Sequence, residues 1–386
     1  MGSNYSGLKD NILNELMAVE SYARQREAIH LAAYIKETGE RLNQDKFNLG
    51  VLGEFKRGKT TFLNALLGVE LLPVAVVPLT SIVTIVRYGE GLKSEVIFLN
   101  GYKREINLSE LASYVTEEGN PGNAKKVKLV ELAYPSPYLK EGVLLIDTPG
   151  VGSVYQNNTD ETYKFLPKVD AAIFLLSADQ PLSQSECAFL NEIKQYSTKT
   201  FFVLNKIDYL NQKDRQEALD YAKKTLKDKA GFENANIIPL SAKTALEARL
   251  ASDDQKLTES NLPVFIKILE QFLLSEKGTV VLISAGTRGI SAADELLMGI
   301  RLETKALQLP LEELQIKIGL FNQMVEDLDR DRQDNKYIFQ GEMEKVYHTL
   351  EKEITIFQES RRDLIEKEIY RLYQDKKGLR GGELLK

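Results

Sequence analysis

With 386 residues, 43% of them hydrophobic, the chain exceeds one ordinary domain and carries enough apolar content for a sizeable core. A formal net charge of −6 argues against a general nucleic-acid binder, whose footprint is a basic face. A single cysteine, Cys187, excludes a disulfide framework and suits a reducing cytoplasm, and two distant histidines, His30 and His348, leave no His-rich metal cluster to build.

In chain order, the first signal is helical. Leu8, Ile12, Leu16, Val19 and Ala23 recur at helical spacing, which predicts one flanking helix over residues 1–44. A short apolar run, Phe47 to Leu52, then reads as a strand. It runs into Gly53-Glu54-Phe55-Lys56-Arg57-Gly58-Lys59-Thr60, a complete G-x-x-x-x-G-K-[ST] loop, and a helical segment from Thr61 follows. Glycines let such a loop wrap phosphates, and N–H groups at the helix N-terminus point at the anion, so Gly53, Lys56, Arg57, Gly58 and Thr61 are expected at the nucleotide. Lys59 is expected to reach the β- and γ-phosphates, and the Thr60 hydroxyl to ligate Mg²⁺. Thr80, in Val77-Pro78-Leu79-Thr80-Ser81, is the candidate switch threonine that closes on Mg²⁺ and the γ-phosphate.

Strand-like Ile82 to Tyr88 and Glu95 to Leu99, a helix near Leu108 to Val115 and a strand near Val127 to Ala133 follow. The apolar strand Gly142 to Ile146 ends in Asp147-Thr148-Pro149-Gly150. Asp147 there can hold the Mg²⁺ shell, and Gly150 can give an N–H to the γ-phosphate. Cys187 falls in a helix after the Ser177-Ala178-Asp179-Gln180-Pro181 turn. Strand Thr200 to Leu204 leads into Asn205-Lys206-Ile207-Asp208. The Asp208 carboxylate can accept two N–H bonds from a guanine edge, which adenine does not offer; Lys206 would lie over the base and Asn205 would tie this loop to the phosphate loop. Ser241-Ala242-Lys243, after strand Asn236 to Leu240, would close over the base. In this order, each after a strand, the four loops specify a site for GTP or GDP with Mg²⁺. The fold class is α/β, a P-loop GTPase domain over residues 45–277 with a mostly parallel central sheet and helices on both faces.

Beyond the helix Val264 to Leu274, Gly278, Gly286 and Gly289 read as a hinge or as helix caps. Leu307, Leu311, Leu314, Ile318, Phe321, Val325 and Leu328 form a heptad seam for packing on other helices, with a start or kink at Pro310. Residues 329–335 are polar, a turn or a solvated helical stretch. A second stripe runs through Met343, Val346, Leu350, Ile354, Phe357 and Leu364, so residues 278–386 form an α-helical bundle region. No apolar run reaches the roughly 20 residues that span a bilayer.

The motif order resembles the Ras-like superclass of G proteins. From Thr80 to Asp147 is 147 − 80 = 67 positions, and the enlarged domain with flanking helices resembles the dynamin superfamily. The stretch from Gly53 to Gly68 looks most like the bacterial dynamin-like proteins, relatives of mitofusins. The resemblance covers about residues 45–275 and implies GTP hydrolysis, a nucleotide-dependent homodimer through the GTPase domain, a helical neck acting as a lever, and membrane remodelling. It also implies lipid as a partner rather than nucleic acid, and a cytoplasmic, peripherally membrane-associated protein. Departures matter: Phe55 stands where dynamins carry the glutamine that positions water, Val151 where Ras-like proteins carry theirs, and Asn205 where dynamins often have Thr. Lys56 matches the arginine-finger position of atlastins and guanylate-binding proteins, so Lys56 or Arg57 is expected to supply catalytic charge beside Lys59 and Thr80. The resemblance also implies a longer trunk than the chain shows before Lys386, hence a truncated form, in which Lys376, Lys377 and Arg380 read as a solvated helix end. Two other readings stay open: a monomeric assembly-factor GTPase, and a nucleotide-gated scaffold with very slow hydrolysis.

Overall fold

The computed structural model describes residues 2–74, 81–151, 156–308 and 311–375; Thr80, Pro310, Lys376, Lys377 and Arg380 lie outside the described residues. Two compact units divide the chain at 297/298.

The first unit opens with α1 (Gly2–Gln25) and α2 (Ile29–Asn43). The single helix expected over residues 1–44 is therefore a pair, broken where Glu27 adopts φ 57°. No glycine or proline marks the break, and the apolar stripe runs on across it, so the sequence carries no stop signal. The sheet follows: β1 (Phe47–Leu52), α3 (Lys59–Leu67), β2 (Thr84–Tyr88), β3 (Lys93–Phe98), β4 (Lys103–Ile106), the one-turn α4 (Ala112–Val115), β5 (Val127–Tyr134) and β6 (Val143–Asp147). Next come α5 (Gln156–Phe165), β7 (Ala171–Ser177), α6 (Gln184–Tyr196), β8 (Lys199–Asn205), α7 (Gln212–Ala230) and β9 (Ile237–Pro239). Helices α8 (Ala242–Ala251), α9 (Asp254–Glu259), α10 (Leu262–Ser275), α11 (Lys277–Gln308) and α12 (Leu311–Asp375) follow.

Among the described residues nine strands form one sheet in the order β4-β3-β5-β2-β6-β1-β7-β8-β9. The block from β6 through β9 is parallel, whereas β2 runs antiparallel to β6, and β3 antiparallel to both β4 and β5. Every residue of β1 and β7 is buried, as expected of central parallel strands covered on both faces. Alternate residues of β7 serve opposite faces: Ala171, Ile173 and Leu175 join the core with Phe62, Leu63 and Phe265, while Phe174 and Leu176 join Phe189, Leu190 and Leu226. The sequence-read strands thus appear within a few residues of their predicted bounds; β4 and β7 were not foreseen.

The three glycines read as hinge or caps are neither, because all lie inside α11. A Cβ on Gly289 would sit 2.9 Å from Leu16 Cδ2 of α1, so this glycine permits close helix packing. In the second unit, α12 runs unbroken for 65 residues, and the polar stretch 329–335 is solvated helix. The predicted seam residues Ile318, Phe321, Val325 and Leu328 are exposed on it. Among the described residues no helix is long and apolar enough to cross a membrane.

Candidate nucleotide site

The four loops gather at the carboxyl ends of the parallel strands β1, β6, β8 and β9, where ligands sit in open α/β sheets. The phosphate loop leaves β1 and enters α3 through Gly58, at φ 88° and ψ 30°. Lys59 and Thr60 open α3, with Thr61 in the same first turn. Lys59 is buried, and its Nζ donates to the carbonyls of Gly53 at 3.0 Å and Glu54 at 3.2 Å, so it spans the loop it must serve.

Burial pulls the Lys59 ammonium down to about 8, with Asp147 and Glu186 offsetting only part of that effect. Nucleotide phosphates would favour the charged form and raise this value on binding. Above pH 8 the free protein must therefore take up a proton to bind, and affinity is expected to fall as pH rises beyond that point. Calorimetric titration of GDP at pH 8.5 in buffers of different ionisation enthalpy should show proton uptake, and much less at pH 7. Equal uptake at the two values would contradict this account of Lys59.

Thr60 Oγ1 donates to Asp147 Oδ2 at 3.1 Å. A hydroxyl and a carboxylate side by side are hard oxygen ligands that suit Mg²⁺, which usually takes few protein ligands and fills its shell with phosphate and water. The turn after Asp147 is tied down on both sides: the Thr148 hydroxyl donates to Val51 O at 3.0 Å and Thr162 Oγ1 to Pro149 O at 2.7 Å. Gly150 sits against the phosphate loop, where a Cβ would lie 2.8 Å from Phe55 Cα, and the Phe55 N–H donates to Val151 O at 3.1 Å.

On the base side, Asn205 ends β8 and bonds two neighbouring loops, as expected of it. Its Nδ2 donates to Arg57 O at 2.9 Å, and its Oδ1 accepts the Ala242 N–H at 2.9 Å. Lys206, at φ 65°, pairs with Asp179 at 3.0 Å. Burial works against ionisation of Asp179, but hydrogen bonds from Ser177 and Lys206 outweigh it and hold the carboxyl below its ordinary range. Asp208 lies in the single turn Ile207–Tyr209 with its side chain exposed. Ser241 caps α8, its Oγ accepting the Thr244 N–H at 3.1 Å, and Lys243 projects from the first turn, exposed.

The expectation that Arg57 supplies catalytic charge is corrected. Its side chain is 2% exposed, and Nε and Nη2 donate to the two Glu186 oxygens at 2.9 and 2.6 Å. That fork is committed to a carboxylate rather than to phosphate. Lys56 remains the exposed cation of the loop, at φ 65°, with Nζ 5.4 Å above the Phe55 ring. Glu186 and Asp179 had not been foreseen at the site, although Ser183-Gln184-Ser185-Glu186 is a legible capping box. Thr80 is outside the described residues.

A sequence profile of the dynamin family matches residues 49–207. An uncharacterized protein in the xynA 3′ region of Caldicellulosiruptor sp. (strain Rt8B.4) is 37% identical over 346 residues, 89% of this chain and 85% of that protein. The probable transmembrane GTPase FZO-like, chloroplastic, of Arabidopsis thaliana is 33% identical over 265 residues, 64% of this chain and 26% of that one. The chain spans between 26% and 57% of the length of four of the curated relatives it matches. Among solved structures, an oligomerised bacterial dynamin pair aligns with a TM-score of 0.50 at 22% identity, over 97% of this chain and 69% of that one, a likeness of fold.

Proposed function

We propose that this chain, which belongs to the dynamin family, works as a bacterial dynamin-like GTPase, binds guanine nucleotide with Mg²⁺ and completes its active site against a second copy. Residues 45–277 form the GTPase domain in this reading, and residues 1–44 and 278–386 a helical neck that couples turnover to remodelling of a membrane. The protein would work in the cytoplasm, peripherally bound to lipid.

The observation that carries the reading is the joining of the loops: Thr60 to Asp147 at 3.1 Å, Asn205 to Arg57 at 2.9 Å and Asn205 to Ala242 at 2.9 Å. Thr60 and Asp147 would hold Mg²⁺, with Thr80 from the switch segment. The metal would supply neutralisation of phosphate charge. Lys59 would bind the β- and γ-phosphates, the Gly150 N–H would sense the γ-phosphate, and Asp208, Lys206 and the Ser241–Lys243 turn would read the base. With Phe55 and Val151 where water-orienting glutamines stand in relatives, Lys56 becomes the side chain to stabilise developing charge once a second copy covers the loop.

GTP turnover per molecule is expected to rise steeply with protein concentration in the absence of lipid, and Lys56→Ala to lose about tenfold or more of that rise while retaining GDP binding. A flat rate would support a monomeric switch. Guanine-specific binding without turnover would support a nucleotide-gated scaffold, the second reading that Phe55 and Val151 favour. Lys56→Ala turning over as fast as wild type would remove Lys56 from the mechanism.

A further inference from the structure

Arg57 sits between two glycine-bearing positions of a loop that must present its backbone to phosphate, yet its side chain points the other way. Beyond its fork on Glu186, Nη1 donates to Gln180 O at 3.1 Å, and Nη2 reaches Pro181 O at 3.2 Å and Glu54 Oε2 at 3.3 Å. Glu186 is itself 1% exposed and closes the α6 capping box by accepting the Ser183 N–H at 3.0 Å. Glu54 adds a second tie, its Oε1 accepting from the Ser183 and Ser185 hydroxyls at 3.2 and 3.1 Å. Both ends of the variable part of the phosphate loop are thus fastened to the start of α6. The same segment holds the base side, since Asp179 pairs with Lys206 while Asn205 returns to the Arg57 carbonyl. These links form a closed ring through the phosphate loop, the β8 loop and the turn after β7.

We propose that Arg57 and Glu186 are positioning residues that preset the phosphate loop in its binding shape, with Lys56 turned outward, before nucleotide arrives. A loop of this kind otherwise loses conformational freedom on binding and weakens affinity by that cost. Fastening one side chain of the loop to a buried carboxylate settles the loop during folding instead. The fork matters as well as the charge, because two parallel N–H···O bonds fix an orientation that one ammonium contact does not. The inference rests on the guanine-nucleotide reading of the site.

Either residue removed alone strands a buried charge and lowers stability for that reason alone. The deciding variant is therefore Arg57→Leu with Glu186→Gln, which removes both charges together. GDP affinity and association rate are measured with a fluorescent GDP analogue, alongside the melting temperature. The double variant should melt close to wild type yet bind GDP about tenfold more weakly. If affinity recovers together with the melting temperature, the pair only stabilises the fold and the proposal fails. Arg57→Lys supplies the same test if the double variant does not fold: charge is kept and the fork lost, so affinity should drop with little change in melting. Unchanged affinity in Arg57→Lys overturns the proposal. A wild-type protein that shows no preference for GDP over ADP instead overturns the nucleotide reading, and the proposal with it.

Discussion

Replacing Asp170 by alanine is expected to lower the unfolding free energy of the GTPase unit by about 3–5 kcal/mol. Asp170 is 2% exposed and precedes β7; its Oδ2 accepts from Arg41 at 2.7 Å and from the Asn48 N–H at 2.8 Å, while its Oδ1 pairs with Arg288 at 2.8 Å. Arg288 also donates to the carbonyls of Pro167 and Val169 at 2.9 and 3.1 Å. One carboxylate therefore serves as the shared counter-ion of two guanidiniums carried by α2 and α11, helices that precede and follow the sheet in sequence. Burial pulls the Arg41 guanidinium below its ordinary range, with Asp170 the main counterweight, and Arg41 Nε already lacks a partner. Alanine would leave both cations buried without their counter-ion, which costs far more than an exposed pair, whose worth is about 0–1 kcal/mol. For a domain of this size the loss corresponds to roughly 10 °C in melting temperature. A triple variant, Arg41→Met, Asp170→Leu and Arg288→Met, removes every charge and should recover most of the loss, because apolar replacement of a buried ion cluster is often near neutral. A fall of less than about 2 °C in Asp170→Ala would show that water or side-chain movement satisfies the two arginines.

None of that triad was legible. Arg41, Asp170 and Arg288 lie far apart in the chain, each in a segment where a lone charge reads as solvated surface. What was legible is what chemistry confines to a few adjacent residues. The Gly53–Thr60 loop must sit between a strand and a helix to work, so its motif specified β1 and α3. The expected tie from Asn205 to the phosphate loop is present as its hydrogen bond to Arg57 O, and it was legible because Asn205 opens the Asn205-Lys206-Ile207-Asp208 motif.

Arg57 shows where such reasoning stops. Its motif position suggested phosphate, but its partner Glu186 lies 129 residues away, and only the packing of α6 beside β7 brings them together. The glycines of α11 failed for a related reason. Glycine in sequence signals a break, whereas Gly289 answers to Leu16 on another helix, a demand no local window contains. The break between α1 and α2 is the converse case, a real interruption with no glycine or proline to announce it.

Substituting Gly58 by alanine should weaken GDP binding by about 3 kcal/mol, roughly a hundredfold. Two effects add. At φ 88° a non-glycine residue is strained by about 1–3 kcal/mol. The new Cβ would also lie 2.5 Å from Asn205 Nδ2, a distance at which the amide must move. Asn205 is 2% exposed and held at both ends, by Arg57 O and by the Ala242 N–H. Moving it breaks buried hydrogen bonds worth about 1–3 kcal/mol when left unmet, and it uncouples the phosphate loop from the two loops that would read guanine. Asn205→Ala alone removes the tie without backbone strain and should cost less, about tenfold in affinity, or about 1.4 kcal/mol. The combination decides whether the clash is real. Asn205→Ala takes away the atom that the Gly58→Ala methyl strikes, so the double variant should bind GDP no more weakly than Gly58→Ala alone, a clear departure from additivity. Fully additive losses, measured by equilibrium titration of a fluorescent GDP analogue, would mean that Gly58 is needed for its own φ and that Asn205 holds the loops independently of it.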